Sequence, residues 1–216
     1  MSSSGPSLPA EAIRTLVEGL EALELDAALA APLREYVELL LLWNGTYNLT
    51  AIREPGAIIS KHLLDCLAMA RFVDGRTLVD VGSGGGFPGI PLSIALPNLQ
   101  VGLVETAGKK ARFLREAVRR LQLGDRVVVY GMRAEHVPKG EGFEILTARA
   151  FGTIEEIIRV GGHLLAPGGR LLAMKGRLDE VLAEAIPKGY RLTDCHPLKV
   201  PGLDAERHLA VVRRDD

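Results

Sequence analysis

The chain has 216 residues, of which 47% are hydrophobic and 25% charged, a composition that suits one folded domain with an extension. Its 26 basic and 27 acidic residues leave a net charge of −1, which excludes the strong basic bias of a protein that grips naked nucleic acid by its phosphates. Cys66 and Cys195 lie far apart without metal-ligand spacing, so we predict neither a disulfide framework nor a metal site. No apolar stretch is long enough to span a bilayer, and we expect a cytoplasmic protein with no membrane or DNA partner.

Helical patterns dominate the first seventy or so residues. A first helix is predicted to begin around Ser7 and Pro9 and to end near Leu23. A second is predicted over residues 32–43, ending at the turn-forming pair Asn44-Gly45, and a third over residues 55–72. We therefore predict an N-terminal helical extension over residues 1–74 and a main domain over residues 75–216.

Short β-branched or aliphatic runs alternate with helical segments after Gly75. These runs cover residues 77–81, 101–105, 126–130, 144–148 and 170–174. Such alternation predicts right-handed βαβ units and a mostly parallel α/β sheet covered on both faces. The last two runs, 190–200 and 207–213, leave no room for a helix between them and should pair antiparallel. This ending is typical of the seven-stranded Rossmann-like sheet of class I methyltransferases, whose final strand is antiparallel.

A glycine-rich loop follows the first predicted strand, in the segment VDVGSGGGFPGIPL at residues 79–92. Glycines such as Gly82, Gly84 and Gly86 allow positive φ and let a ligand lie against bare backbone, while the following helix start offers unpaired N–H groups. The loop therefore predicts a nucleotide-like ligand. Because Gly84, Gly86 and Gly89 also satisfy G-x-G-x-x-G, this pattern alone leaves both a dinucleotide and S-adenosylmethionine open.

Two acidic residues flank the loop. Asp80 ends the preceding strand, and a carboxylate there would repel a pyrophosphate but not the cationic sulfonium end of S-adenosylmethionine. Glu105 ends the next strand, about twenty residues beyond the loop, where a carboxylate accepts hydrogen bonds from ribose hydroxyls of either ligand. The pair therefore favours S-adenosylmethionine as the cofactor.

Several segments together resemble the glucose-inhibited division protein B family, the 16S ribosomal RNA guanine-N7 methyltransferases. The matching segments are residues 48–50, 61–65, 79–92, 103–114, 133–135, 147–151 and 175–176, and the resemblance extends over nearly all of the chain beyond residue 30. It implies methyl transfer from S-adenosylmethionine to N7 of the guanine at position 527 (rRNA numbering). The implied partner is 16S ribosomal RNA, within the small subunit or an assembly intermediate.

The resemblance also implies cofactor-binding positions. These are Gly82 and Phe87 in the loop, the pair Ala134-Glu135 after the third strand, and Arg149 after the fourth. Gly85, Phe87 and Cys66 occupy positions that vary among family members, with serine common in place of Cys66, and we expect none of them to alter the chemistry.

Guanine N7 carries a free lone pair, so its methylation needs neither a general base nor a protein nucleophile. We therefore expect catalysis by orientation and electrostatics. Arg133 and Arg149 end successive strands at the ligand-binding edge, and we predict that they hold the guanine O6 or a flanking phosphate. The alternative for each arginine is a partner for a nearby surface acid.

Other polar and aromatic residues leave two interpretations open. His62 and Asp65 share a helix face, where they form either a polar contact beside the cofactor or a structural pair. Lys175 could bind RNA phosphate or be solvated, and the basic residues of segment 109–120 are spread around their helix, with Lys109 and Lys110 nearest the ligand. Trp43 and Tyr47 could stack on a base, although a Trp that ends an apolar helix is more often a core residue.

Two other functions compete with methyl transfer. A nicotinamide-dependent reductase is disfavoured by Asp80 and by the terminal strand pair. A ribosome-assembly factor that uses the cofactor domain only as a scaffold is compatible with the near-neutral charge.

Overall fold

Seven strands form one sheet in the computed structural model, which describes residues 6–215. The strands are β1 (Thr77–Val81), β2 (Gln100–Val104), β3 (Val127–Tyr130), β4 (Phe143–Arg149), β5 (Leu165–Lys175), β6 (Tyr190–Pro197) and β7 (His208–Arg214). Their order across the sheet is β3-β2-β1-β4-β5-β7-β6. Strands β1 to β5 are parallel, while β7 pairs antiparallel with both β5 and β6. The predicted α/β architecture with an antiparallel final strand is confirmed.

Helices cover both faces of this sheet. They are α1 (Ala10–Ala22), α2 (Ala30–Tyr47), α3 (Pro55–Ile58), α4 (Asp65–Leu67), α5 (Gly89–Ala95), α6 (Gly108–Arg120), α7 (Ile154–Gly161) and α8 (Leu178–Ala183). A π-helical segment, Ile59–Leu64, joins α3 to α4, so the third predicted helix is one helical stretch of changing pitch. None of the described helices is both long and apolar enough to cross a bilayer.

Helix α2 continues past the predicted stop at Asn44-Gly45. It ends at Tyr47, and the next residue, Asn48, takes the left-handed conformation with φ of 50° and donates its backbone N–H to the carbonyl of Asn44. Asparagine tolerates this conformation better than most residues. The side chain of Asn44 is buried, where its Oδ1 accepts the N–H of Thr50 at 2.9 Å. Asn44 therefore orders the segment after the helix instead of ending it.

Two hydrophobic cores lie on opposite faces of the sheet. Buried side chains of the helical extension, including Leu16 and Leu64, belong to the same core as Leu103 of β2. The second core forms between the other face and α7, with Val81 and Ile157 among its members. The extension thus buries its apolar side against the sheet, although the predicted boundary at residue 74 remains a prediction.

Candidate active site

The backbone between β1 and α5 has the conformation that the glycine pattern predicted. Gly82, Gly84 and Gly86 have φ angles of 74°, 58° and 95°, a region that favours glycine because it carries no Cβ. The backbone N–H groups of Gly82 and Ser83 both donate to the carbonyl of Val104 at 3.0 Å. The loop is therefore fixed to the end of β2 and stays at the carboxyl edge of the sheet, where open α/β sheets bind ligands.

Asp80 is buried beneath this loop and bonds to the protein backbone, so its role towards a cofactor stays a prediction. The side chain is fully buried, and its Oδ2 accepts the backbone N–H of Gly89 at 3.1 Å. Its Oδ1 has no hydrogen-bond partner within the described residues. Burial raises the pKa of Asp80 to about 7, although the bond from Gly89 opposes that shift. The carboxyl group thus holds the loop against the start of α5.

A cavity of about 280 Å³ opens at the ends of β1, β2 and β3. Five of the predicted site residues line it: Gly82, Glu105, Arg133, Ala134 and Glu135. The predicted residues that are not part of its lining are Asp80, Gly84, Gly86, Phe87 and Arg149. The sequence analysis gave no role to the remaining lining residues, which are Val81, Val104, Thr106, Phe151 and Val160.

Glu105 lines the cavity and stabilises the glycine loop by hydrogen bonds. Its Oε2 accepts the backbone N–H of Gly84 at 2.9 Å, and its Oε1 accepts the N–H of Ala107 at 2.7 Å. The residue is buried, with 7% of its surface exposed. Each carboxylate oxygen can accept more than one hydrogen bond, so Glu105 retains capacity for a ligand hydroxyl at the cavity edge.

Phe151 forms part of the opposite wall, in the turn that follows β4. The preceding Ala150 has φ of 52°, which is unusual for a residue with a Cβ. A Cβ added to Gly82 would lie 2.5 Å from Cδ2 of Phe151, so the aromatic ring lies directly against the glycine backbone. The ring is nevertheless 37% exposed. Phe151 ends segment 147–151, which the sequence analysis matched to the family without giving this residue a role.

Lys175 holds this turn in place and is not a free phosphate ligand. Its Nζ donates to the carbonyl of Gly152 at 2.7 Å and lies 2.7 Å from Oε1 of Glu184. The lysine side chain is only 11% exposed. The structure therefore supports neither of the two interpretations made from the sequence, phosphate binding or a solvated lysine, because the ammonium group is largely enclosed by these partners.

Arg149 is held by residues of the helical extension. Its Nε lies 3.2 Å from Oδ2 of Asp65, and its Nη2 donates to the carbonyl of Lys61 at 2.9 Å. Nη2 also lies 2.7 Å from Nδ1 of His62, and the guanidinium carbon is 5.7 Å from the centre of the Phe87 ring. Most of the guanidinium donors are thus used within the protein. The structure places Arg149 in this cluster and Arg133 in the cavity.

His62 links Arg149 to Thr50 as a neutral ring. Arginine can only donate, so Nδ1 of His62 accepts from Arg149 and the ring proton lies on Nε2. That nitrogen is 2.7 Å from Oγ1 of Thr50. Burial and the Arg149 charge lower the pKa of His62 to about 4. His62 and Asp65 do not bond each other directly within the described residues, and instead both bind Arg149.

Tyr36 was missed by the sequence analysis because it lies in the middle of an apolar helix. It is fully buried, and its hydroxyl donates to the carbonyl of Gly85 at 2.5 Å. Its ring meets that of Phe87 edge to face, with the centres 5.6 Å apart. Helix α2 therefore supports the glycine loop at Gly85, next to the glycine that Glu105 binds.

Trp43 packs against other aromatic rings, and both cysteines are at least partly buried. The Trp43 ring lies 5.8 Å from that of Phe113 and 5.2 Å from that of Tyr47, so it packs α2 against α6. Cys66 is buried, and burial raises the pKa of its thiol to about 12. Cys195 is half-buried on β6 and burial also raises its pKa. The raised pKa of each thiol disfavours its thiolate form at neutral pH.

The chain matches a known protein family over most of its length. Residues 30–210 match the GidB model, described as rRNA small subunit methyltransferase G. The chain belongs to this family. It is 54% identical over 209 residues to ribosomal RNA small subunit methyltransferase G of Xanthomonas campestris pv. campestris (strain B100), covering 97% of this chain and 98% of that protein. It is 55% identical over 205 residues to the protein of the same name from Stenotrophomonas maltophilia (strain K279a), with 95% and 96% covered.

Solved structures support the fold of this family member. TrmN from Thermus thermophilus aligns with a TM-score of 0.52 at 21% identity, over 72% of this chain and 53% of that one. A predicted O-methyltransferase, Atu636 from Agrobacterium tumefaciens, aligns with a TM-score of 0.56 at 21% identity, over 70% and 81% of the two chains. The fold is thus a Rossmann-like methyltransferase sheet, and the match to a methyltransferase family implies an S-adenosylmethionine-type methyl donor.

Proposed function

We propose that this protein transfers a methyl group from S-adenosylmethionine to N7 of the guanine at position 527 (rRNA numbering) of 16S ribosomal RNA. The substrate is the small ribosomal subunit or an assembly intermediate of it, which would put the reaction in the cytoplasm. The observation that carries the proposal is the cavity beside the glycine loop, combined with the family match over residues 30–210.

The cavity residues fit this cofactor better than a dinucleotide. Its charged lining residues are Glu105, Glu135 and Arg133, so acidic groups outnumber the one basic group. A pyrophosphate would meet two carboxylates there, whereas ribose hydroxyls and an amino group are complementary to them. Gly82 and Gly84 are half-exposed at the rim, where a ligand can approach bare backbone. We assign Gly82, Glu105, Ala134 and Glu135 to cofactor binding.

S-adenosylmethionine supplies an electrophilic methyl group: the N7 lone pair forms the new N–C bond, the C–S bond breaks, and its electron pair stays on sulfur. The positive charge moves from sulfur to the methylated guanine, and no proton has to be removed. The enzyme must therefore orient the two reactants and exclude water.

Some side chains would bind the substrate, and others position the loop and strand ends around it. Arg133 lies at the cavity, is exposed and has no ion pair within residues 6–215, so it is free to bind the guanine O6 or an RNA phosphate. Arg149, held by Asp65 and His62, acts as a positioning residue that fixes the end of β4 and the turn carrying Phe151. Asp80 and Tyr36 hold the loop from below and from the side.

The deciding experiment uses small subunits that lack the modification and labelled S-adenosylmethionine. We expect label on a single guanine, mapped to position 527. Replacement of that guanine by 7-deazaguanine removes the nucleophilic nitrogen but leaves the Watson–Crick edge, so transfer should stop while RNA binding persists. Methylation of the deaza substrate would refute attack by N7. Binding of the cofactor without any methyl transfer would favour the scaffold function instead.

A further inference from the structure

Helix α6 presents one basic face to solvent. Its inner face is occupied by five buried residues: Ala111, Phe113, Leu114, Ala117 and Val118. Lys109, Arg112 and Arg115 are exposed and therefore lie together on the outer side. The sequence analysis described these cations as spread around the helix. The structure differs because the inner face is wide, which confines most of them to the outer half.

Three cations on this face form no ion pair within residues 6–215, although Glu116 lies on the same side of the helix. Within the described part of the chain, the ion pairs of α6 involve only Arg119, which is 2.7 Å from Glu116, and Arg120, which is 4.0 Å from Glu35. Lys109, Arg112 and Arg115 have no acidic partner there. In a chain whose net charge is −1, such a group of unpaired cations indicates a local surface for an anionic partner.

This basic face extends towards the cavity. A Cβ added to Gly131 would lie 2.6 Å from Nη2 of Arg115, so the Arg115 guanidinium covers the backbone just after β3. Two residues further on, Arg133 lines the cavity. At the other end of the face, Lys109 is in the first turn of α6, close to Ala107, which is bonded to Glu105.

We propose that Lys109, Arg112, Arg115 and Arg133 form a basic ridge that binds phosphates of the ribosomal RNA next to the methylated nucleotide. The ridge would bind the RNA backbone and hold it over the cavity, without reading its sequence. Its three helical cations, from Lys109 to Arg115, span about 9 Å of helix at the rise of about 1.5 Å per residue, a length that matches about two to three phosphates of a strand. This inference rests on the proposed function, because it identifies the RNA-binding surface of the same site.

The test compares two double variants that remove equal charge. Arg112→Gln with Arg115→Gln removes the centre of the ridge. Arg76→Gln with Lys139→Gln is the matched control, because both residues are exposed and precede β1 and β4, at the opposite end of the strands. Binding to unmodified small subunits is measured at several salt concentrations, and binding of S-adenosylmethionine by calorimetry shows that each variant is folded.

The ridge variant should bind subunits about tenfold or more weakly, and its plot of log affinity against log salt should be shallower by about two, one for each lost phosphate contact. The control should keep the wild-type affinity and slope, and both variants should bind the cofactor normally. Wild-type affinity and slope in the ridge variant, or an equal loss in the control, would overturn the proposal. If wild-type protein binds subunits through the ridge but methylates another atom, only the proposed function fails.

Discussion

Oδ2 of Asp65 and Nε of Arg149 are 3.2 Å apart, and this ion pair connects the helical extension to the end of β4. The carboxylate is shared, because its Oδ1 lies 3.1 Å from Nε of Arg207, just before β7. The Asp65 side chain is 3% exposed, against 17% for Arg149 and 29% for Arg207. The buried Asp65 carboxylate therefore balances the charge of two arginines from different parts of the sheet. Because one of them is Arg149, the position of the turn that carries Phe151 depends on Asp65.

Asp65→Asn should lower the free energy of unfolding by about 2–4 kcal/mol. The substitution leaves two largely enclosed cations without their counter-charge, and the partial exposure of the arginines keeps the loss below that of a fully buried pair. Denaturant unfolding measures the effect. Asp179→Asn is the control, because its ion pair with Arg177 is exposed and its loss should change stability very little. Equal effects of the two substitutions would contradict the role given to Asp65.

Arg149→Lys should lower kcat more than it raises KM for the small subunit. Lysine keeps the charge near Asp65 but cannot also bond His62 and the carbonyl of Lys61 in one plane, so the end of β4 is less well oriented. Steady-state kinetics measures the changes in kcat and KM separately. The affinity for the cofactor should change little. A variant with normal kcat would show that the orientation of β4 does not depend on the guanidinium group.

Gly84→Ala should abolish or greatly weaken cofactor binding. With φ of 58°, the added Cβ has only the carbonyl oxygen of Gly82 nearby, at 3.8 Å, so it points into open space, where we expect the cofactor to pass the loop. Gly168→Ala is the matched control, since its φ is 71° and nothing lies within 4 Å of its Cβ position. Both substitutions should cost about 1 kcal/mol of stability through backbone strain.

Only the Gly84 variant should lose affinity in calorimetry with S-adenosylmethionine. Equal affinity in the two variants would mean that the cofactor does not approach this glycine. Gly86 is a poorer test, because a Cβ there would lie 2.6 Å from Cδ1 of Ile90 and would disturb the fold itself.

His62 should remain neutral in the folded protein down to a pH of about 4, with its proton on Nε2. Because this pKa is below the ordinary value of 6.5, the histidine contributes stability above pH 6.5 that is lost as the pH falls towards 4. After allowance for solvent screening, the loss is up to about 2 kcal/mol. Nitrogen NMR reports the tautomer, and His62→Gln should remove this part of the pH dependence of unfolding. A protonated His62 at pH 6 would contradict the arrangement with Arg149.

Replacing both Cys66 and Cys195 by alanine should leave methyl transfer intact. The Cys66 thiol has its pKa raised to about 12 by burial, and attack by guanine N7 needs no covalent intermediate. The buried Cys66→Ala change should cost about 1 kcal/mol of stability. A folded double variant without activity would point to a thiolate mechanism at carbon.

The glycine loop and the end of the sheet could be predicted from residues that are close together in the chain. Gly82 and Gly84 need backbone angles that other residues resist, and Glu105 ends the strand beside the loop, so the sequence predicted their place at the carboxyl edge. The absence of a helix between the last two strands likewise predicted the antiparallel end of the sheet. Each of these inferences depends on near neighbours in the chain, and therefore the sequence alone determined the fold class and the position of the glycine loop.

The roles of the charged residues depended on the tertiary structure. Arg149 meets Asp65 across 84 positions of the chain, and Lys175 meets Gly152 across 23, so no local pattern could show that both cations are already bound. Asp80 appeared to face a ligand, but burial under the loop is set by α5 folding back on β1. The sequence determined which groups reach the edge of the sheet, whereas only the packing of distant segments decided which of them remain free to bind a substrate, because desolvation and ion pairing act through space.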